Sequence, residues 1–157
     1  MITNLEKTTA LVSLTPLLPF AESEARSAIR TALRRRAEEG TTHFLCPMRQ
    51  GYELLMAEEA LALREEYPVT VEAILPHELI AVDYPEEVRD RFFAAVEKSD
   101  RELLYSNHPF AGVEERCLRF LVHLSNSTVA VGEALPPYLA KEDMILLVPE
   151  GVQKKEA

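Results

Sequence analysis

Short apolar runs alternate with amphipathic stretches along most of the chain, and each run has the length of a strand rather than a helix. The runs that we interpret as strands are 9–15, 42–46, 69–75, 101–105, 128–131 and 144–148. Between them, polar and apolar positions follow a helical period over 22–39, 51–66, 85–98 and 113–124. Pro16, Gly40, Pro76 and Gly132 follow four of these segments, as expected of residues that end regular structure.

Strands that are continuously apolar and alternate with helices are typical of a parallel sheet covered on both faces. The pattern therefore predicts an α/β fold of Rossmann-like type, a three-layer α/β/α sandwich with a mostly parallel sheet of about six strands. The 157 residues fit a single domain, 1–157, in which 152–157 form a frayed tail. The last connection, 133–143, contains Pro136-Pro137 and is expected to lack a full helix.

The charge is unevenly distributed, and this changes which partners we expect. The net charge is −9, with +2 on residues 1–50 and −11 on residues 51–157. Because phosphates attract positive surfaces, this balance predicts neither a nucleic-acid partner nor a membrane partner. No signal peptide is visible and no run approaches the ~18 apolar residues of a membrane span. Two separated cysteines, Cys46 and Cys117, suit free thiols in a reducing compartment, so we expect a cytoplasmic protein.

One basic cluster stands out against the acidic background. Arg26, Arg30 and Arg34 recur every four residues and would share one helix face, and Glu22 precedes Arg26 by four residues, a favourable helical pair. Such a cluster is either a solvated helix face or a patch that meets an anion or a partner, and the sequence leaves both interpretations open.

A ligand site in an open parallel sheet lies beyond the carboxyl ends of the strands. The loops that begin there bring Arg49, His77 and His108 to one edge. The loop before the second helix contains Gly51, which permits close backbone approach, and free N–H groups at a helix start favour an anion. Glu53 either complements the helix dipole or belongs to the site. Neither a G-x-G-x-x-G nor a P-loop pattern is present in the sequence.

Two stretches carry a family resemblance. The first is 51–68 followed by 71–76, with a G-x-E opening, an acid five residues on, a Tyr-Pro stop and a strand ending in Leu-Pro. The second is 115–125 followed by 128–131, a helix with an arginine, a serine-containing turn and an apolar strand. In this order, over roughly 9–148, the chain resembles the YpsA-like family of the SLOG superfamily. That superfamily also holds the LONELY GUY phosphoribohydrolases and the DNA-processing protein DprA.

The resemblance implies a Rossmann-like domain that binds a nucleotide or a nucleotide-derived ligand at the carboxyl edge of the sheet. It places Gly51 and Glu53 in the pocket, Arg116 against a phosphate, and Ser125 in the turn before the fifth strand. The sequence departs from the family after strand one, where 15–20 lacks glycine and arginine, and after strand five, where the glycine-rich phosphate cradle is absent. The ligand-binding residues that we expect are Thr15, Gln50, Gly51, Glu53, Arg116 and Ser125.

The sequence leaves three functional hypotheses open. The first is a domain that binds a nucleotide-like small molecule, and the second is a nucleotide N-glycosidic hydrolase with Glu53 as the acid/base, aided by Glu78. The third is an interaction protein that has lost the ligand pocket, and a homodimer is compatible with all three. We expect no cofactor and no metal, because the four histidines lack the local spacing of zinc ligands. A nucleophilic couple of Cys46 and His77 is a further hypothesis.

Overall fold

The computed structural model describes residues 7–15, 22–132 and 144–147, and in these ranges strands and helices alternate as the sequence predicts. The strands are β1 (Lys7–Ser13), β2 (Thr41–Cys46), β3 (Thr70–Leu75), β4 (Arg101–Leu104), β5 (Ser127–Val131) and β6 (Met144–Leu147). The helices are α1 (Glu22–Glu38), α2 (Tyr52–Leu63), α3 (Glu86–Lys98) and α4 (Val113–Leu124). The stop at Pro16, the connection 133–143 and the tail 152–157 lie outside the described residues. No helix in the described ranges is long and apolar enough to cross a membrane.

The six strands form one sheet in the order β4-β3-β2-β1-β5-β6, and every pairing between neighbours is parallel. Alternate residues of each strand face opposite layers. Leu11 and Phe44 belong to the core beneath α1, α2 and α3, whereas Val12 and Leu45 belong to the core beneath α4. The predicted three-layer Rossmann-like sandwich is thereby confirmed.

Helix α2 lies between α1 and α3, and nine of its twelve residues are buried. Its two central acids meet the basic cluster of α1. Arg26 binds Glu58 at 2.8 Å and Glu59 at 3.1 Å, and Arg30 binds Glu59 at 2.8 Å. The predicted helical pair of Glu22 and Arg26 also forms, at 3.4 Å. Much of the basic cluster is therefore engaged with carboxylates of the same chain.

The chain reverses its direction across the sheet at β1, which has β2 on one side and β5 on the other. Such a reversal is the topological switch point at which open α/β sheets bind ligands. The two chain segments that leave β1 and β5 approach closely here. A Cβ atom on Gly132 would lie 2.8 Å from the Cβ of Leu14, so a residue without a side chain is needed at that position unless Leu14 shifts.

Candidate functional site

A cavity of about 550 Å³ opens at the carboxyl edge of the sheet, beside the end of β1, and we call it the switch-point cavity. Its volume falls within the range of about 300–1,000 Å³ that is typical of small-molecule sites. Its walls come from the end of β1, the loop before α2, α2 itself, the loop after β3 and the first turns of α4. The described lining residues are Ser13, Leu14, Thr15, Arg49, Gln50, Glu53, Ile80, Tyr84, Glu114, Glu115 and Leu118.

The carboxylate of Glu53 lies at the base of the switch-point cavity and has no solvent exposure. Its Oε2 accepts a hydrogen bond of 2.8 Å from the backbone N–H of Ser13. Its Oε1 accepts bonds from the backbone N–H and the Nε–H of Arg49, at 3.1 and 2.9 Å, and Arg49 Nη2 donates to Oε2. A buried charge is tolerated only when it is paired and hydrogen-bonded, and both conditions hold here. Glu53 therefore does more than complement the dipole of its helix.

Arg49 connects three walls of the cavity. Besides its bonds to Glu53, its Nη2 donates to the carbonyl of Ser13 at 2.9 Å and its Nη1 donates to Oε1 of Glu114 at 3.0 Å. Burial would lower the pKa of Arg49, but the two carboxylates outweigh burial and raise that pKa above its usual value. The guanidinium is therefore permanently charged, and its position is fixed by β1, α2 and α4 together.

The loop before α2 contains two unusual backbone conformations, and its path lets the side chain of Arg49 reach Glu53 in the first turn of α2. Met48 has φ +60°, and Gly51, which precedes α2, has φ +101° and ψ −135°. The backbone N–H of Gln50 donates to the Tyr84 hydroxyl at 3.1 Å, which ties the loop to the segment after β3. Gly51 thus contributes backbone freedom. The side chains that line the cavity here come from Arg49 and Gln50 before it and from Glu53 after it.

The structure brings three of the six predicted ligand-binding residues together, since Thr15, Gln50 and Glu53 all line the switch-point cavity. Gly51 adjoins it without being a lining residue. The other two, Arg116 and Ser125, lie elsewhere.

Arg116 and Ser125 do not line the cavity. Arg116 is exposed on α4, and its guanidinium carbon lies 5.8 Å from the ring centroid of Phe110. Ser125 ends α4, is buried, and donates its hydroxyl hydrogen to the carbonyl of Leu121 at 2.8 Å. Because it precedes β5, Ser125 lies at the amino edge of the sheet, opposite the cavity. Its hydroxyl closes the last turn of α4.

The geometry does not support the nucleophilic couple of Cys46 and His77. The Cys46 thiol is fully buried and donates to the carbonyl of Glu53 at 3.3 Å, and burial raises its pKa well above the usual range. His77 is also buried, and its Nδ1 accepts a bond from the N–H of Leu79 at 3.1 Å. Each group is thus engaged within the fold. Glu78, which we considered as a partner for Glu53, is exposed and does not line the cavity.

Four polar lining residues were not expected from the sequence: Ser13, Tyr84, Glu114 and Glu115. Glu114 and Glu115 stand in the first turn of α4, where acids are common for electrostatic reasons alone. Only the strand order shows that this turn faces the end of β1. Arg49 was expected at this edge, and a usable signal for its pairing with Glu53 did exist, since the two are four residues apart, the spacing of a helical ion pair.

The chain is similar to a solved structure of DNA processing protein A from Helicobacter pylori, described for its single-stranded DNA binding mode. The two share 17% sequence identity with a TM-score of 0.56, over 82% of this chain and 55% of that one. This chain therefore spans about half the length of that protein, and the likeness shows a shared fold. No curated protein matches the chain in sequence.

This comparison corrects the prediction that the chain has no nucleic-acid partner. A protein of the same fold binds single-stranded DNA, so the argument that excluded nucleic acid was wrong. The physical reason is that a net charge of −9 sums over the whole chain, whereas phosphates respond to the local surface that they meet.

A family model matches the sequence of this chain, and the observed fold agrees with it. The model of the YspA SLOG family, YpsA, matches residues 22–132, which is more than half of the chain. The matched range begins with α1 and ends just after β5, so it includes the loop before α2, Glu53 and the acidic start of α4. The chain belongs to the YspA SLOG family.

Proposed function

We propose that the chain binds a nucleotide-derived ligand in the switch-point cavity. The observation that carries the proposal is the fully buried carboxylate of Glu53 at the base of an open cavity, held by Arg49 and Ser13. A buried ion pair contributes little net stability, because desolvation offsets much of the attraction. Buried charges beside a cleft are instead typical of functional sites. Membership of a SLOG family and the position at the switch point support the same conclusion.

The arrangement favours binding over hydrolysis. A hydrolase needs a carboxylate that can take a proton from water or give one to a leaving group. Both oxygens of Glu53 already accept hydrogen bonds, and its side chain has no exposed surface. The third hypothesis, an interaction protein without a ligand, is disfavoured by the size of the cavity, which the side chains of the described residues leave open.

The proposal is tested by thermal melting of the full chain against nucleosides, nucleotides, nucleotide sugars and short single-stranded oligonucleotides. The oligonucleotides are included because DNA processing protein A binds single-stranded DNA. A ligand at about 100 times its Kd adds about 2.7 kcal/mol of stability, which is a shift of several degrees for a domain of this size. A panel without any shift would contradict the proposal.

The position of the site is tested by a matched pair of variants. Gln50 and Asn107 are both exposed carboxamides at the carboxyl edge of the sheet, but only Gln50 lines the cavity. Gln50→Trp should obstruct the cavity and weaken binding by about tenfold or more, a loss of about 1.4 kcal/mol. Asn107→Trp should leave binding unchanged. Equal effects of the two variants would place the ligand elsewhere.

We also propose that the protein is located in the cytoplasm and that it associates with a second copy of itself. Both cysteines are free and buried, which suits a reducing compartment. Self-association is checked by sedimentation of the full chain over a range of concentrations, where a mass that stays at 17.7 kDa would contradict a dimer.

A further inference from the structure

The described walls of the switch-point cavity carry an excess of negative charge. Among its described lining residues Arg49 is the one cation, whereas Glu53, Glu114 and Glu115 are carboxylates. The positive charge of Arg49 is already directed at Glu53 and Glu114, at 2.9 and 3.0 Å. A phosphate that entered this cavity would have to compete with resident carboxylates for the same guanidinium.

The start of α4 strengthens this effect. A helix N-terminus ordinarily attracts anions, through its free N–H groups and a partial charge of about +0.5. In α4 that end has Glu114 and Glu115 in its first turn, and both side chains are exposed and line the cavity. Two full negative charges outweigh a partial positive one, so this wall repels a phosphate.

We infer that the switch-point cavity selects an uncharged nucleoside, and that phosphate groups on the ligand weaken binding rather than strengthen it. An ionised carboxylate only accepts hydrogen bonds. The hydroxyl groups of ribose and the amino groups of bases can donate such bonds to it. In dinucleotide-binding Rossmann domains, a carboxylate at this edge of the sheet accepts a hydrogen bond from a ribose hydroxyl. The inference rests on the proposed function and names the class of ligand that the same cavity takes.

The test compares each of the four common ribonucleosides with its 5′-monophosphate and its 5′-triphosphate, by calorimetric titration of the full chain at low and at moderate salt. We expect the nucleoside to bind most tightly and the monophosphate to bind about tenfold more weakly. The difference should shrink at higher salt, because salt screens charges that are exposed to solvent.

A matched pair of double variants separates the cavity wall from charge in general. Glu114→Gln/Glu115→Gln should increase monophosphate affinity about tenfold relative to nucleoside affinity. Glu86→Gln/Glu87→Gln removes the same charge from the first turn of α3, which does not line the cavity, and should leave that ratio unchanged.

The possible outcomes distinguish failure of the inference from failure of the proposed function. Affinity that rises with every added phosphate would overturn the inference and leave the proposed function standing. The same change in ratio for both double variants would also overturn it, since the selectivity would then reflect net charge alone. Failure of every nucleoside and nucleotide to bind would overturn the proposed function itself.

Discussion

The carboxylate of Glu53 and the guanidinium of Arg49 form a salt bridge in which the acid is fully buried and the arginine side chain keeps 22% of its exposure. The two residues are four positions apart, but only Glu53 lies within α2. The bridge therefore depends on the loop conformation at Met48 and Gly51 as much as on the helix. It is the contact on which the base of the cavity is built.

Removing one partner of this bridge should be costly. Glu53→Gln leaves the positive charge of Arg49 without its main partner, and we expect a loss of about 3 kcal/mol in the free energy of unfolding. Urea denaturation at pH 7 measures this loss. Glu65→Gln, an exposed residue just beyond α2, is the control and should change stability by less than about 0.5 kcal/mol. Similar losses in both variants would contradict the importance of the buried bridge.

The two thiols should make the protein less stable in alkali. Burial raises the pKa of Cys46 well above its usual range and that of Cys117 to about 12, whereas unfolded cysteines titrate near 8.5. As the pH rises above about 8.5, the unfolded chain loses protons that the folded chain keeps. Stability should then fall by up to about 1.4 kcal/mol per pH unit for each thiol.

Urea denaturation between pH 7.5 and pH 9 measures this slope. Burial raises the pKa of Tyr84 in the folded protein, and the range stops at pH 9 because an unfolded tyrosine ionises at about pH 10 and would add to the slope there. The variant Cys46→Ala/Cys117→Ala should be less stable at pH 7.5 but should show a flatter dependence on pH. Native protein at pH 8 should also react slowly with a thiol reagent until urea unfolds it. Rapid reaction of both thiols in the native protein would contradict the burial of these side chains.

Glu58 should contribute stability that is lost in acid. Burial opposes its ionisation, but hydrogen bonds from Arg91 and Arg26 outweigh burial and lower its pKa below the usual value. The contribution is therefore present above about pH 4.3 and disappears as the pH falls through the lowered pKa. Because Glu58 keeps 26% exposure, we expect Glu58→Gln to cost only about 1 kcal/mol at pH 7.

The cost of Glu58→Gln should shrink between pH 4 and pH 2, which unfolding curves at several pH values would show. The control is Glu97→Gln, an exposed acid near the end of α3, which should not reproduce the trend. A cost for Glu58→Gln that stays constant with pH would contradict the role of its charge.

Two glycines that precede helices should respond differently to alanine. Gly51 has φ +101° and ψ −135°, a region that is open to glycine almost alone, whereas Gly112 has φ +82° and ψ +8°, near the left-handed helical region. A Cβ on Gly112 would meet no atom within 4 Å. We expect Gly51→Ala to cost about 2–3 kcal/mol and Gly112→Ala about 1 kcal/mol. Equal costs in thermal or urea unfolding would contradict the conformation of the loop before α2.

The elements of the fold were predictable because the strands are short apolar runs, the helices have a clear period, and a proline or glycine follows several of these segments. The helix at 113–124 was placed without error, and the largest difference is at α2, predicted to reach residue 66 but ending at Leu63. Its last predicted turn departs from the α-helix, since the N–H groups of Glu65 and Glu66 donate to carbonyls three residues earlier, those of Ala62 and Leu63. The carboxyl edge of the sheet was likewise predictable as the place of a cavity.

The composition of the cavity was only partly predictable. Glu53 and Gln50 follow from their position after a strand, which fixes the edge at which they lie. Glu114 could not be assigned from the sequence, because its proximity to Arg49 depends on the order of strands and on α4 crossing to the opposite face. Arg116 was expected from the resemblance, but adjacent positions on a helix face different directions, and Glu115 faces the cavity instead.

The hydrogen bond from the backbone of Ser13 to the Glu53 carboxylate makes one amide proton a sensor of the whole site. That proton is protected while the bond holds, and it exchanges with solvent when the end of β1 and the start of α2 separate. Its exchange rate, read from a single resonance, thus reports how often the base of the cavity opens, without any ligand or label. The exchange of this proton would become slower when a bound molecule held these two segments together.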